Sequence, residues 1–523
     1  MALHSTLALR PKEHFFALIA YEDDYVQPLI LDALRKLFPP ECYTLLSPPP
    51  PPPKPPTGTK AGEGEEGEGE GDTEIRLADL LPSSGKGGSD PTTGNAGDAA
   101  PRVLQITPYE AIDWDYVATH PRTCLVNSYM LRKAVIRKHY LAATAEVWGS
   151  KRGGESALAK SFRRPEAFEL DYAEFLDDAL VEAFDLRASL EKNARLLGGE
   201  GEGDGEEGKE KGKEEIEWWI LKPGMSDRGQ GIRLFSTMEE LQGIFDEWEE
   251  DQPDTDDEDE GEEDEDGDGD GDGDNKGGDY IMASHLRHFI AQPYIHPPLL
   301  LPGDNRKFHI RTYVACIGSL DVYVYDDMLA LFAGRPYAAP SPPASGTGST
   351  VTEQLEAHLT NTCLQRSVQE GTVRRFADLT NASLGLPEAT RASVVERVRA
   401  VAGDVFEAAA REMRMHFAPL PNAFEVYGLD FLVDAAGHPW LLEVNAFPDF
   451  RQTGPELTGL VAGLWEAVLR RAVAPFFFGH AGAGASGASG ALIGEEGRDG
   501  DGDARDEYDD GLVLVRRIDL GAR

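Results

Sequence analysis

The chain has 523 residues, 41% of them apolar, too long for one small domain and apolar enough to bury a sizeable core. Its 93 acidic and 50 basic residues leave a formal net charge of −43, so neither nucleic acid nor a membrane is expected as a partner. Cys42, Cys124, Cys316 and Cys363 stand far apart without a CxxC pair, which argues against a disulfide framework or zinc site and for a reducing, cytoplasmic compartment.

Most of the negative charge sits in four low-complexity runs, residues 63–74, 200–217, 250–279 and 494–510, which together carry about −37. They hold almost no apolar residues, cannot offset the entropy of ordering, and are expected to be disordered inserts. No apolar run approaches the ~20 residues that span a bilayer. The basic, acid-free residues 1–12 lack a secretory pattern and leave weak mitochondrial targeting open.

In chain order, "HFFALIAY" (14–21) reads as a buried strand and "VQPLILDALRKLF" as a helix. "SPPPPPPKPP" then opens an insert over about 46–101 as a stiff polyproline II spacer. "RVLQITPYEAIDWDYV" and "TCLVNSYMLRKAVIRKHYLAATAEVW" resume an α/β pattern, and "DYAEFLDDALVEAFDLRASLEKNARLL" reads as one amphipathic helix. "EWWILKPGMSDRGQGIRLF", "RHFIAQPYI" and "KFHIRTYVACIGSLDVYVYDDMLALF" read as strands joined by short loops. A helix over "RASVVERVRAVAGDVFEAAAREMRMHF", a hairpin in "EVYGLDFLVDAAGHPWLLEVN" and a helix over "LTGLVAGLWEAVLRRAV" precede a Gly/Ala-rich, then acidic, tail. The fold class is α+β, divided into an N-terminal α/β domain (1–135), a central domain (136–300), a C-terminal domain (301–478) and the tail (479–523).

The hairpin carries the first candidate chemistry. Strand side chains alternate, so Glu443 and Asn445 share a face with Leu441, and Asp430 shares one with Leu432 and Asp434. With "AAGH" as a four-residue loop, pairing of Asp434 with Pro439 sets Asp430 opposite Glu443, the Cβ atoms roughly 5 Å apart. Two carboxylates that close need a cation, and Asp, Glu and Asn oxygens are hard donors suited to Mg²⁺. A solvated, salt-bridged strand face is the plain alternative.

Upstream, Lys222 ends an apolar strand before a loop holding Gly224, Gly229 and Gly231, where backbone N–H groups can approach phosphate oxygens. No GK[ST] follows, so this is not a Walker loop, and a simple hairpin is the alternative. In "NRKFHIRTYV", next to Arg306, the residues Lys307, His309 and Arg311 share one strand face by period 2, a cationic face for a bound anion or for nearby acids. Asp268, Asp270, Asp272 and Gly273 match the first half of a calcium loop with Asp279 in twelfth place. Asn275 takes the apolar position and no helices flank the run, so only loose cation association is expected there.

In this order, "CLVNSYMLRKAVIRK", "WWILKPGMSDRGQGI", "IAQPYIHPPLLLPGDNRKFHIRTYV", "HLTNTCLQ" and "YGLDFLVDAAGHPWLLEVNAFPDF" resemble the tubulin-tyrosine ligase family over most of residues 110–475 outside the inserts. The resemblance implies an ATP-grasp fold, with ATP and Mg²⁺ as cofactors. It makes Lys222 a phosphate-binding lysine, Gly229 and Gly231 part of a loop over the phosphates, and Gln292 and the backbone of Ile295 the adenine segment. Lys307 and Arg311 become nucleotide contacts, Arg311 at the γ-phosphate, and Thr360 with Asn361 a nucleotide-contacting pair. Asp430, Glu443 and Asn445 become Mg²⁺ ligands, Arg311 and Glu443 the catalytic pair, and Arg137 with Lys138 the basic pair near the acceptor.

The reaction so implied adds a free amino acid, most simply tyrosine, to a protein carboxylate such as the α-tubulin C-terminal tail, through an acyl phosphate. Polyglutamylation and glycylation are variants, and a nucleotide-binding protein that does not ligate is the alternative. Two positions depart from the family pattern. His309 stands where vertebrate tyrosine ligases carry an aspartate, and Leu331, in "YDDMLALFAGRPY", where they carry an arginine near the reacting phosphate.

Overall fold

The computed structural model describes residues 14–21, 23–47, 76–82, 100–198, 215–223, 231–250, 287–341, 356–360, 372–479 and 509–521. The polyproline run, the calcium-loop-like run and nearly all of the acidic runs lie outside these residues, as do Gly229, Asn361 and Cys363.

Near the N-terminus, β1 (Phe15–Ile19), β2 (Tyr43–Leu46), β3 (Val103–Ile106) and β4 (Cys124–Val126) form a parallel sheet in the order β2-β1-β3-β4. Helix α1 (Val26–Leu37) connects β1 to β2, and α2 (Lys138–Lys151) follows β4. Strands β1, β3 and β4 are almost wholly apolar because both faces of this sheet are covered.

The middle of the chain builds an antiparallel sheet, β5-β8-β6-β7, from β5 (Glu166–Glu169), β6 (Trp219–Pro223), β7 (Arg233–Phe235) and β8 (His288–Pro293). Helices α3 (Phe184–Leu197) and α4 (Met238–Glu250) pack on it around Phe168, Trp219, Phe245 and Phe289, a core of its own. The single helix expected over 171–197 is broken: a one-turn helix, Leu176–Ala179, stops short of α3. A fresh helix start at Phe184 is supported by the Glu166 carboxylate, which accepts the Asp185 N–H at 3.3 Å and so occupies a first-turn donor.

The large sheet is organised by the long strand β9 (Arg306–Ile317). One edge of β9 carries β10 (Asp321–Tyr325) along its second half and β11 (Leu329–Pro336) along its first, with β12 (Val373–Arg375) beyond β11. The other edge carries β13 (Phe424–Val433), which pairs with β14 (Pro439–Ala446). Helix α5 (Glu388–Glu412) covers one face, packing on Phe308, Ile310 and Val314, and α6 (Thr458–Phe478) the other, packing near Tyr313 and Ala315.

Each of these two cores also takes in one face of the N-terminal sheet, Leu18, Val103 and Val126 in one and Phe15, Ala17 and Leu104 in the other. The N-terminal and large sheets therefore share their cores. The stretch read as part of a tail supplies one more strand, β15 (Leu512–Arg517), on the outer edge of β10. Ion pairs hold it: Asp510 with Arg471, Arg516 with Asp404 and Glu407, and Arg517 with Asp321. Among the described residues, no helix is long and apolar enough to cross a membrane.

Candidate functional site

A cleft lies between the small sheet and the large one, enclosing about 700 Å³ with its open mouth included. Alternation along the strands explains which side chains enter it. On β6 and β8, Trp219, Leu221, Phe289 and Ala291 turn into the small core, leaving Ile220, Lys222 and Gln292 to line the cleft. On β9, Phe308 and Ile310 turn into the core under α5, which leaves Lys307 and His309 in the cleft and Arg311 next along the same face.

The two lysines are buried. Lys222 Nζ donates to Gln292 Oε1 at 3.0 Å. Burial pushes the Lys222 ammonium down to about 8, with Glu443 opposing the shift and Lys138 adding to it. Lys307 Nζ donates to the Tyr294 hydroxyl at 3.0 Å and lies 4.3 Å from the centre of its ring. Burial, reinforced by Lys222, pushes Lys307 down to about 7. Two ammonium groups held this far below their ordinary value lack compensating negative charge, which an anionic ligand would supply.

Beside them His309 Nδ1 lies 2.6 Å from Thr360 Oγ1, and His309 Nε2 stands 3.6 Å from Asp430 Oδ1 without a hydrogen-bond partner. Burial lowers the His309 pKa against the pull of Asp430.

Across the cleft floor Asp430 sits opposite Glu443, as the hairpin reading expects, but by a different route. The loop is longer by one residue, so Val433 rather than Asp434 pairs with Pro439, and an extra residue, Leu442, then bulges from β14 to restore the Asp430–Glu443 pair. The bulge also corrects the expected facing. Leu441 packs in the core with Phe431, while Leu442 and Glu443 both line the cleft.

Arg311 holds the Asp430 carboxylate in a bidentate pair, Nε to Oδ1 at 2.5 Å and Nη2 to Oδ2 at 3.0 Å. Burial alone would raise the Asp430 carboxyl, but Arg311 and His309 outweigh it and hold the group below its ordinary value. Asn445 Nδ2 donates to Asp430 Oδ2 at 3.4 Å and to Glu443 Oε1 at 3.2 Å, tying the two acids together. Lys138 Nζ, at the start of α2, stands 4.0 Å from Glu443 Oε2.

Among the described residues no three His, Cys, Asp or Glu side chains converge as a metal site. At the cleft floor two carboxylates converge with Arg311 and Lys138 as their counter-charges, and the Asn445 amide faces them with Nδ2, so that its oxygen becomes a third donor once the amide turns over. Hard oxygen donors of that number fit Mg²⁺, which takes one or two carboxylates and completes its shell with water and phosphate.

The remaining expected residues fall as follows. Ile295 and Thr360 line the cleft, and Gly231, with φ +71°, immediately precedes Ile232, which lines it too. Arg137 occupies the position just before α2, next to Lys138. Gly229 and Asn361 lie outside the described residues. Leu331 is buried and sits directly opposite His309 across β11 and β9.

Tyr294 and His358, whose hydroxyl and Nδ1 lie 2.9 Å apart, line the cleft without having been singled out from the sequence. Their adjacency to Ile295 and Thr360 was the available signal. Burial pushes His358 down to about 4, helped by Lys307.

The family model described as "Tubulin-tyrosine ligase family" matches residues 174–479. A probable tubulin–tyrosine ligase of Schizosaccharomyces pombe is 42% identical over 405 residues, covering 77% of this chain and 89% of that protein. The probable tubulin–tyrosine ligase PBY1 of Saccharomyces cerevisiae is 40% identical over 407 residues, again 77% of this chain but 49% of the relative, so the chain spans about half of that protein's length. Among solved structures, the C-terminal domain of K. lactis Pby1 is 30% identical with a TM-score of 0.55, over 97% of this chain and 99% of that one. It is described as an ATP-grasp enzyme interacting with the mRNA decapping enzyme Dcp2.

Proposed function

The chain belongs to the tubulin-tyrosine ligase family and has the ATP-grasp fold, and on that premise we propose that it is an ATP-dependent ligase joining an amino acid, most simply tyrosine, to a protein carboxylate such as a tubulin tail. The observation that carries the reading is the Asp430–Glu443 pair, bridged by Asn445, on the floor of a cleft whose walls hold the buried cations Lys222 and Lys307.

Lys222 and Lys307 bind and orient the polyphosphate, and Tyr294, Ile295 and the apolar Ile220 enclose the base. Asp430, Glu443 and Asn445 would hold Mg²⁺, which when bound supplies positive charge for phosphoryl transfer. The acceptor carboxylate oxygen attacks the γ-phosphorus and the bond to ADP breaks. The amine lone pair of the incoming amino acid then attacks the acyl carbon, the bond to phosphate breaks, and the amine's surplus protons pass to solvent. Arg311 gathers negative charge near the transfer, and Arg137 and Lys138 draw in an anionic acceptor. Positioning and electrostatics supply the catalysis, so no side-chain nucleophile is required.

A second reading, a nucleotide-binding protein that works through partners, is favoured by Leu331, which leaves no arginine at that position, and by the K. lactis relative described as interacting with Dcp2. Incubation with Mg-ATP, labelled Tyr, Glu or Gly, and tubulin or tail peptides separates the two. Label in an acceptor supports the ligase. ATP bound with no acceptor labelled selects the second reading.

A further inference from the structure

Two residues beyond Asn445 the chain leaves β14 through Phe447, whose φ of +52° lies in the left-handed region. That region is costly for a residue with a Cβ and a large ring, and such backbone persists only where the surroundings hold it. Here the surroundings come largely from the N-terminal part of the chain. The Arg132 guanidinium carbon lies 5.2 Å from the centre of the Phe447 ring and 4.1 Å from that of Tyr109, and the Tyr21 ring is 5.5 Å from Phe447.

Arg132 is itself fixed by an ion pair with Glu425 on β13. Glu425, fully inside the protein, also accepts the Tyr129 N–H at 3.0 Å and the Tyr427 hydroxyl at 2.5 Å. The turn at Phe447 returns the chain over Gly428, the cross-strand partner of Asn445. Pro448 then lies so close that a Cβ at position 428 would stand 2.9 Å from Pro448 Cβ.

We infer that Arg132 and Phe447 are positioning residues: the bracket of Arg132, Tyr109 and Tyr21 holds the left-handed turn that fixes Asn445 against Asp430 and Glu443, so the N-terminal sheet sets the clamp's affinity for a divalent cation. The inference rests on the Mg²⁺ reading of the clamp. Without the bracket, Phe447 relaxes to a negative φ, Pro448 lifts from Gly428, and the Asn445 amide loses its place between the two carboxylates.

The test uses Mn²⁺ as probe, its binding to the full chain followed by electron paramagnetic resonance in the presence of ADP. Phe447→Leu keeps the strain and removes the ring, and should weaken Mn²⁺ binding about tenfold, as loss of an outer support of a metal site typically does. ADP binding without metal should not change. Phe447→Gly takes the left-handed turn without support, and should recover most of the lost affinity. Arg132→Lys keeps the charge opposite Glu425 but not the flat stack, and should behave as Phe447→Leu.

If folded Phe447→Leu and Arg132→Lys both bind Mn²⁺ as the unaltered chain does, the inference is overturned, even if their melting temperatures fall. Should the unaltered chain bind no Mn²⁺, the clamp reading fails and takes this inference with it.

Discussion

Asp430 and Glu443 face each other only because Leu442 bulges between them and the start of β14. Continued without the bulge, the pairing of Val433 with Pro439 would set Glu443 opposite Leu429, a residue of the core under α5. The bulge therefore turns a carboxylate into the cleft that regular pairing would bury.

The two carboxylates should respond differently to neutralisation. Glu443, whose side chain is 27% exposed, can lose its charge with little effect on folding, so Glu443→Gln should melt within a few degrees of the parent. Its ATP turnover should fall by about 10²-fold or more. Asp430→Asn leaves the Arg311 guanidinium, 7% exposed, without its partner, and should cost about 3–5 kcal/mol in urea unfolding. Equal stability losses in the two variants would contradict this division.

Nucleotide binding should take up protons. In the free protein Lys222 and Lys307 sit near 8 and 7, both lowered chiefly by burial. A polyphosphate beside them restores the charged forms toward about 10.4. Affinity for ADP should therefore fall as the pH rises through 7 and 8. Calorimetry at pH 8 in two buffers of different ionisation heat should report net uptake, and net release would contradict the assignment. For the unliganded protein the sign is opposite: the unfolded chain binds these protons up to about 10.4, so this contribution to stability grows as the pH rises above 7.

Leu331 offers a third test, because it lies opposite His309 with Lys307 and Arg311 on the same face of the neighbouring strand. Leu331→Arg adds a buried cation to a region balanced mainly by Asp430, and should destabilise the free protein by about 3 kcal/mol. ATP should then raise the melting temperature of the variant by more than it raises that of the parent. Equal shifts would show that position 331 does not sense the nucleotide.

Strand periodicity was enough to place Lys307, His309 and Arg311 on one face, whereas Asp430 came to stand against Glu443 because an assumed loop one residue too short offset the missed bulge. The bulge was not legible, since "PWLLEVN" carries no glycine or other local mark at Leu442. The Arg311–Asp430 pair was hidden for another reason: it exists because β9 and β13, more than a hundred residues apart, are neighbours. Gln292, Ile295 and Thr360 emerged only from the resemblance, because single polar or apolar residues near strand ends have no pattern of their own. The strand β15 was overlooked because "LVLV" follows an acidic run whose composition dominates the window.

That strand gives a fourth expectation. Asp510 holds Arg471 of α6 in a pair whose side chains are 5% and 10% exposed. Asp510→Ala removes the carboxylate of a largely buried pair and should cost clearly more than Arg517→Ala, which removes an exposed pair with Asp321 and should cost less than about 1 kcal/mol. Chemical denaturation of both variants checks the contrast, and similar losses would show that β15 is not anchored mainly through Asp510.

The central claim is that Asp430, Glu443 and Asn445 hold the cation of a bound nucleotide. Its most direct test is the affinity for ATP with and without Mg²⁺, measured by calorimetry on the unaltered chain and on Glu443→Gln. Tighter binding with Mg²⁺ in the first and no such gain in the second is the predicted result. An ATP affinity indifferent to Mg²⁺ in the unaltered chain, or a full Mg²⁺ effect in the variant, would contradict it.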